Sequence, residues 1–365
     1  MRKKKPSIEG EWTNEKRFFW TGQHHRIDHD VQIPKIVLGI DGLMEDITNA
    51  KGRQFYMGKG PRGHTMIRMK KVAEDLANRA SGLNPHIVRR YATRHKFSPF
   101  FEVWERVWYE ATTLTEVARR HDSLDALNAW FDKLRAELQG SQFRKAVRNQ
   151  RRVAQKNADG LRAHINQLFR NDSRLMVMRI DFGYRHEPEF DVVKWVPPSD
   201  KSVKADFERL KRFIKAEIPH WRSVIWKVEF GAVKGHHIHV MVICDGHEVR
   251  EGITWAKVIG EKWEEITRGA GSYWNCNAHQ ALFEKMGRRG IGLIDYTDHA
   301  RRDDLMRVAM YVAKADSYAR FQSPDIGRTF GKSVCKRKSE KKGRPRKYVD
   351  PVDGVEEIIE PVKVA

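Results

Sequence analysis

Residues Gly235 to Ile243 read Gly-His-His-Ile-His-Val-Met-Val-Ile, and no other stretch of the chain constrains the fold as tightly. A run of β-branched and apolar residues forms a strand, and successive strand side chains point to opposite faces. His237 and His239 therefore share one face, while Ile238, Val240 and Val242 share the other. The segment before it, Ser223 to Phe230, reads as a second strand, and Gly231 to Gly235 has the character of a hairpin connection. Pairing position 229 with 237 or 239 brings the Glu229 carboxylate onto the histidine face, and a slip of one residue would reverse that.

Two imidazoles and a carboxylate on rigid strands can hold one divalent cation. The donor set suits zinc more readily than magnesium or manganese, and spacing alone does not choose the metal. An isolated histidine pair is more often solvated or satisfied in a core, so the rest of the chain has to carry the argument. A histidine-triad nucleotide hydrolase would place a third histidine at the next alternate position, which here is Met241.

A second constellation lies in Leu305 to Phe321, which is rich in good helix formers and free of Gly and Pro. Tyr311, Lys314 and Tyr318 fall at helical spacing along one stripe and can face one site. A tyrosine hydroxyl, with a pKa near ~10, attacks well only when its proton is withdrawn or its target polarised. Lys314 and a bound cation can do both. The alternative is amphipathic packing by the two tyrosines with the lysine snorkelling past them.

A His-hydrophobe-His strand followed by Tyr-x-x-Lys on a helix resembles the HUH endonuclease superfamily of rolling-circle replication initiators, relaxases and transposases. More narrowly, Glu229 to Ile243, Ser272 to His279, Gly290-Ile291-Gly292 and the Tyr311 helix resemble, in order, the inovirus-type replication proteins related to the filamentous-phage gene II protein. The resemblance covers roughly 174–330. It implies an α+β fold, an antiparallel sheet with helices on one face and the metal on the other. It also implies a site-specific single-strand DNA nickase and strand-transferase that initiates rolling-circle replication of a phage or mobile element. Tyr311 would be the nucleophile, Tyr318 a second and lesser one, and Lys314 their helper. His237, His239 and Glu229 would hold Mg2+ or Mn2+. The resemblance also implies a host helicase as partner. Gly327 to Ser333 looks like a phosphate-binding loop but has one residue too few between its glycines, so no ATPase domain is expected. Alternatives are a relaxase or transposase of the same superfamily, a non-catalytic DNA-binding regulator, and an RNA-binding protein using the same sheet.

The strand expected beside the hairpin is Leu175 to Phe182, where Arg179 and Asp181 sit between apolar positions. Arg179 can contact a DNA phosphate or pair with Asp181 or Glu229. With 69 Lys and Arg against 48 Asp and Glu, the formal charge of +21 favours a polyanionic partner. No apolar run approaches the ~20 residues that span a bilayer, so no membrane role is expected. Three cysteines without Cys-x-x-Cys spacing fit a reducing compartment, here the cytoplasm of a bacterial host. Cys276 and His279 make at most half of a zinc site.

The chain divides into an N-terminal segment of unknown role (1–65), a mainly helical basic region (66–170), the endonuclease domain (171–330) and a tail (331–365). Helices are expected over Pro99 to Arg119 and Ser123 to Leu138, with Trp104, Trp108 and Trp130 in the core. Others are expected over Val203 to Ile218 and Thr254 to Thr267. Gln142 to Arg162 is strongly basic, either a solvated helix face or a track for a DNA backbone. The tail has the composition of disorder, and its Gly343-Arg344-Pro345-Arg346 core resembles an AT-hook that lays arginines in a minor groove.

Overall fold

A computed structural model of the 365-residue chain describes residues 29–60, 62–117, 123–185, 197–231, 235–285, 289–314 and 319–335. The first part is mainly helical. It comprises α1 (His29–Asn49), the hairpin β1 (Phe55–Lys59) and β2 (Thr65–Met69), α2 (Lys71–Arg79), α3 (Pro85–Tyr91), β3 (His95–Phe97), α4 (Pro99–Val117) and α5 (Leu124–Leu138). Val37, Ile40, Leu43, Met44 and Ile47 recur at helical spacing on α1 and close a core with Trp104 of α4 and Phe131 of α5. Trp108 and Trp130 pack against its edge, so the tryptophan trio is core, as expected. The β1–β2 hairpin straddles position 65, which puts residues 29–65 in the same structural unit as the helices that follow.

Helix α6 (Ser141–Asn171) bridges this core and the next. Its early residues Phe143 and Val147 pack on the helical region, and Leu161, Ile165, Leu168 and Phe169 pack on a sheet. That sheet contains β4 (Arg174–Tyr184), β5 (Trp221–Gly231), β6 (Gly235–Asp245), β7 (Gly271–Asn275), β8 (Gly292–Asp295) and β10 (Phe330–Lys332). Its order is β10-β5-β6-β4, with β7 and β8 sharing the far edge of β4, and every pairing is antiparallel. Between the strands lie α7 (Asp200–Glu217), α8 (Gly252–Ile266), α9 (Gln280–Lys285) and α10 (His299–Lys314), and β9 (Ala319–Phe321) pairs back onto β3.

The architecture is α+β with an antiparallel sheet and a helical N-terminal region. Helices α7 and α8 cover one face, burying Val203, Phe207, Ile259 and Trp263 against Ile180, Phe182, Val228 and Val240. Each such large apolar side chain contributes roughly 1.5–3 kcal/mol on full burial.

The opposite face is not bare, in contrast to the expected one-sided arrangement. At one end α6 and α10 bury Leu161, Ile165, Leu305 and Val308 against Leu175, Val177, Ile225, Met241 and Ile243. The basic run of α6 hides this role in the sequence, because its apolar stripe begins only near Leu161. At the other end the same face carries charged and polar side chains instead.

Candidate metal centre

Register decides what that polar end contains. In the β5–β6 hairpin, Glu229 pairs with His237 and Lys227 with His239, and the strand begins at Gly235 with φ +66°, a left-handed conformation that favours glycine. Across the other edge of β6, His239 pairs with Asp181 of β4. Paired residues share a face, so Glu229, His237, His239 and Asp181 stand together on the side toward which α10 packs.

The ring nitrogens are divided between two tasks. His237 Nε2 lies 3.2 Å from Glu229 Oε2, and His239 Nε2 lies 3.6 Å from the same oxygen. The opposite nitrogens turn to fixed oxygens: His237 Nδ1 is 3.3 Å from the Gly235 carbonyl, and His239 Nδ1 is 2.8 Å from Asp181 Oδ1. Asp181 is itself held by Arg179 at 3.3 Å. Ligand atoms of Glu229, His237 and His239 all lie within 4.8 Å of one another. Imidazoles whose outer nitrogens are oriented by a carboxylate and a carbonyl, with inner nitrogens converging on another carboxylate, fit a divalent cation.

The charges reinforce one another. Burial alone would raise the Glu229 carboxyl, but His237 and His239 hold it well below the usual range. Burial works against the charged form of His239 as well, yet Asp181 and Glu229 outweigh it and push the imidazole up to about 10. Asp181 is held down by Arg179 and His239 despite its own burial. The three acceptor and ligand groups thus form one coupled set of charges.

The other expected residues fall into separate groups. Tyr311 and Lys314 are placed by their backbone in the last two turns of α10, three and six residues beyond Val308, which packs on the histidine face. Tyr318, Arg344 and Arg346 lie outside the described residues. Arg179 is 5 % exposed and paired with Asp181, so it acts on the histidines through that carboxylate; the structure does not present it to a surface strand. Cys276 is buried and His279 stacks on Trp274, and neither joins the ligand cluster.

Three features near the site are set by register and long-range packing. Lys227 is fully buried in the row that contains His239, a position that only the register reveals. His95 of β3 lies within range of the Glu229 and His237 charges, and burial pushes its imidazole down to about 4. Its neighbour Arg94 pairs with Asp200 and stacks over Phe230 and Phe321, at 4.7 and 5.0 Å from the ring centroids. The helical region is therefore anchored beside the hairpin tip, through the pairing of β3 with β9. The sequence signal was only a His-Lys-Phe run between helices.

Residues 139–333, just over half of the chain, match the YagK/YfjJ C-terminal domain. The chain belongs to the YagK/YfjJ C-terminal domain family. The match opens at α6 and closes after β10, so this YagK/YfjJ domain takes in the bridging helix, whereas the sequence division started at 171. The physical reason is that Leu161 to Phe169 of α6 close one of the sheet's two cores. No curated protein and no solved structure matches the chain. Among the described residues, no helix is long and apolar enough to cross a membrane.

Proposed function

We propose that the chain is a metal-dependent, site-specific single-strand DNA nickase and strand-transferase that starts rolling-circle replication of a phage or mobile element. The observation that carries this reading is the convergence of Glu229, His237 and His239 on the sheet face against which the Tyr311 helix packs. The formal charge of +21 suits a polyanionic substrate.

In this reading His237, His239 and Glu229 hold Mg2+ or Mn2+. A bound divalent cation supplies positive charge to the non-bridging oxygens of the scissile phosphate. The Tyr311 oxygen forms a bond to phosphorus as the bond from phosphorus to the 3′ oxygen breaks. The tyrosine gives up its proton, and the leaving 3′ oxygen becomes a hydroxyl. Lys314 favours the phenolate by its charge. The phosphotyrosine conserves the bond energy, so a 3′ hydroxyl can reverse the step and rejoin a strand. Asp181 and Arg179 keep His239 in orientation and do not touch the substrate. Strand separation falls to a partner helicase.

The test is incubation of full-length protein with circular single-stranded phage-type DNA and Mn2+ or Mg2+. The expected result is a nick with protein held at the 5′ end, abolished by a chelator, by Tyr311→Phe and by His237→Ala. Binding without any nick over a broad pool of sequences would favour a DNA-binding regulator.

A further inference from the structure

The metal cluster occupies only part of the polar face. Next to it, β7 pairs with β4 so that Trp274 stands opposite Asp181, which stands opposite His239. Trp274 is therefore in the same row and on the same face as the histidines. Its neighbour Tyr273 goes to the other face, where Gly260 of α8 leaves it room; a Cβ at Gly260 would come within 2.2 Å of the Tyr273 ring. At about 4.8 Å per strand, the Trp274 position is about 10 Å from His239.

Trp274 also differs from Trp263 of α8 and Trp226 of β5. Trp263 is fully buried and Trp226 packs on the core between sheet and helices, whereas Trp274 is half-exposed and joins none of the three cores. What it meets is the exposed His279, stacked at 4.0 Å between centroids with 23° between planes. The stack is fixed in place. His279 Nδ1 lies 3.1 Å from the Asn275 carbonyl, the Asn275 side chain accepts from Ala278 N at 3.2 Å, and its amide donates to the Ile253 carbonyl at 3.0 Å.

In the row between this stack and the metal cluster stands Asp181, and two residues further along β4 a glycine leaves space on the same face. Gly183 of β4 stands opposite Ser272 of β7, one residue past the Phe182–Ile238 pair that ends the β4–β6 ladder, and it is half-buried. A Cβ added there would meet only Ser272 Oγ, at 3.6 Å. The result is a gap at Gly183, two residues along β4 from Asp181 and on the same face, beside the row that holds His239, Asp181 and Trp274.

We infer that Trp274 and His279 form a base-stacking platform that seats an unpaired nucleobase beside the phosphate at the metal cluster, with Gly183 leaving space for the strand. This rests on the single-strand DNA reading above. Stacking tolerates any base, because every base has a π face, so the platform positions the strand and does not read its sequence. Cations elsewhere on the protein supply attraction to the backbone but cannot distinguish a strand with bases from one without.

That difference supplies the test. Binding of the full-length protein is measured in a chelator, so that cleavage plays no part, to a thymidine homopolymer of about 20 nucleotides and to an abasic deoxyribose-phosphate homopolymer of equal length. Wild type should prefer the base-bearing strand by about 10- to 100-fold. Trp274→Ala should lose most of that preference while its abasic-strand affinity stays the same, and Trp274→Phe should restore most of it. Gly183→Val, a substitution at home in a strand, should fill the gap and lower the same preference. Trp274→Ala and Gly183→Val proteins that fold normally and keep the wild-type preference would overturn the platform and leave the nickase reading standing. A wild type that binds neither strand would overturn both.

Discussion

His239 Nδ1 lies 2.8 Å from Asp181 Oδ1, with both side chains less than a tenth exposed. The contact joins a metal-ligand candidate on β6 to the Arg179–Asp181 pair on β4, so the orientation of the imidazole depends on a neighbouring strand. Asp181→Asn keeps the shape and removes the charge. It should lower Mn2+ affinity about 10- to 100-fold, measured by calorimetric titration, with far-UV circular dichroism unchanged. Wild-type affinity in the variant would remove Asp181 from the site.

Ligation to the folded state alone must also stabilise it. Mn2+ at about 100 times its Kd should add ~2.7 kcal/mol to unfolding, read from denaturant midpoints with and without chelator. His237→Ala should show no response. A metal shift of equal size in that variant would place the ion elsewhere.

The close contact of α8 with β7 predicts a packing defect. In Gly260→Ala the new methyl would collide with the Tyr273 ring, which is 2.2 Å from the ideal Cβ position. Overpacking of this kind costs about 1–3 kcal/mol, measurable by urea unfolding. No loss would mean that Tyr273 leaves its place with little effort.

His164 of α6 predicts a pH effect. Its Nε2 lies 2.7 Å from Ser223 Oγ, and burial, with the Lys332 charge, pushes its imidazole from 6.5 down to about 4. As pH falls through 6.5 the unfolded chain takes up a proton that the folded chain refuses until about 4. The stability contributed by neutral His164 is therefore complete above 6.5 and declines between 6.5 and 4. The stability difference between wild type and His164→Gln should shrink over that interval. A constant difference would contradict the assignment.

Local periodicity made much of the fold legible. Alternation in Ser223 to Phe230 and Gly235 to Ile243 gave the hairpin but left position 229 open to pairing with 237 or 239, and the structure pairs Glu229 with His237. The helices α4, α5, α7 and α8 lie close to their expected ranges, because their apolar residues recur at helical spacing. Helix α1 was not legible: Pro34, Gly39 and Gly42 interrupt it, and its stability comes from tertiary packing of Val37, Ile40, Met44 and Ile47. Long-range placement was also hidden. Nothing local shows that the end of a basic helix closes the histidine face, that Arg179 is committed to Asp181, or that a three-residue strand brings His95 to the hairpin tip.

The most direct test of the central claim is to locate the covalent bond. Full-length protein is incubated with single-stranded circular DNA and Mn2+, the adduct is digested with nuclease and protease, and the modified peptide is sequenced by mass spectrometry. The account predicts a nucleotide joined through its 5′ phosphate to Tyr311, and no adduct in His237→Ala. An adduct on another residue, or intact DNA binding with no adduct at all, would contradict it.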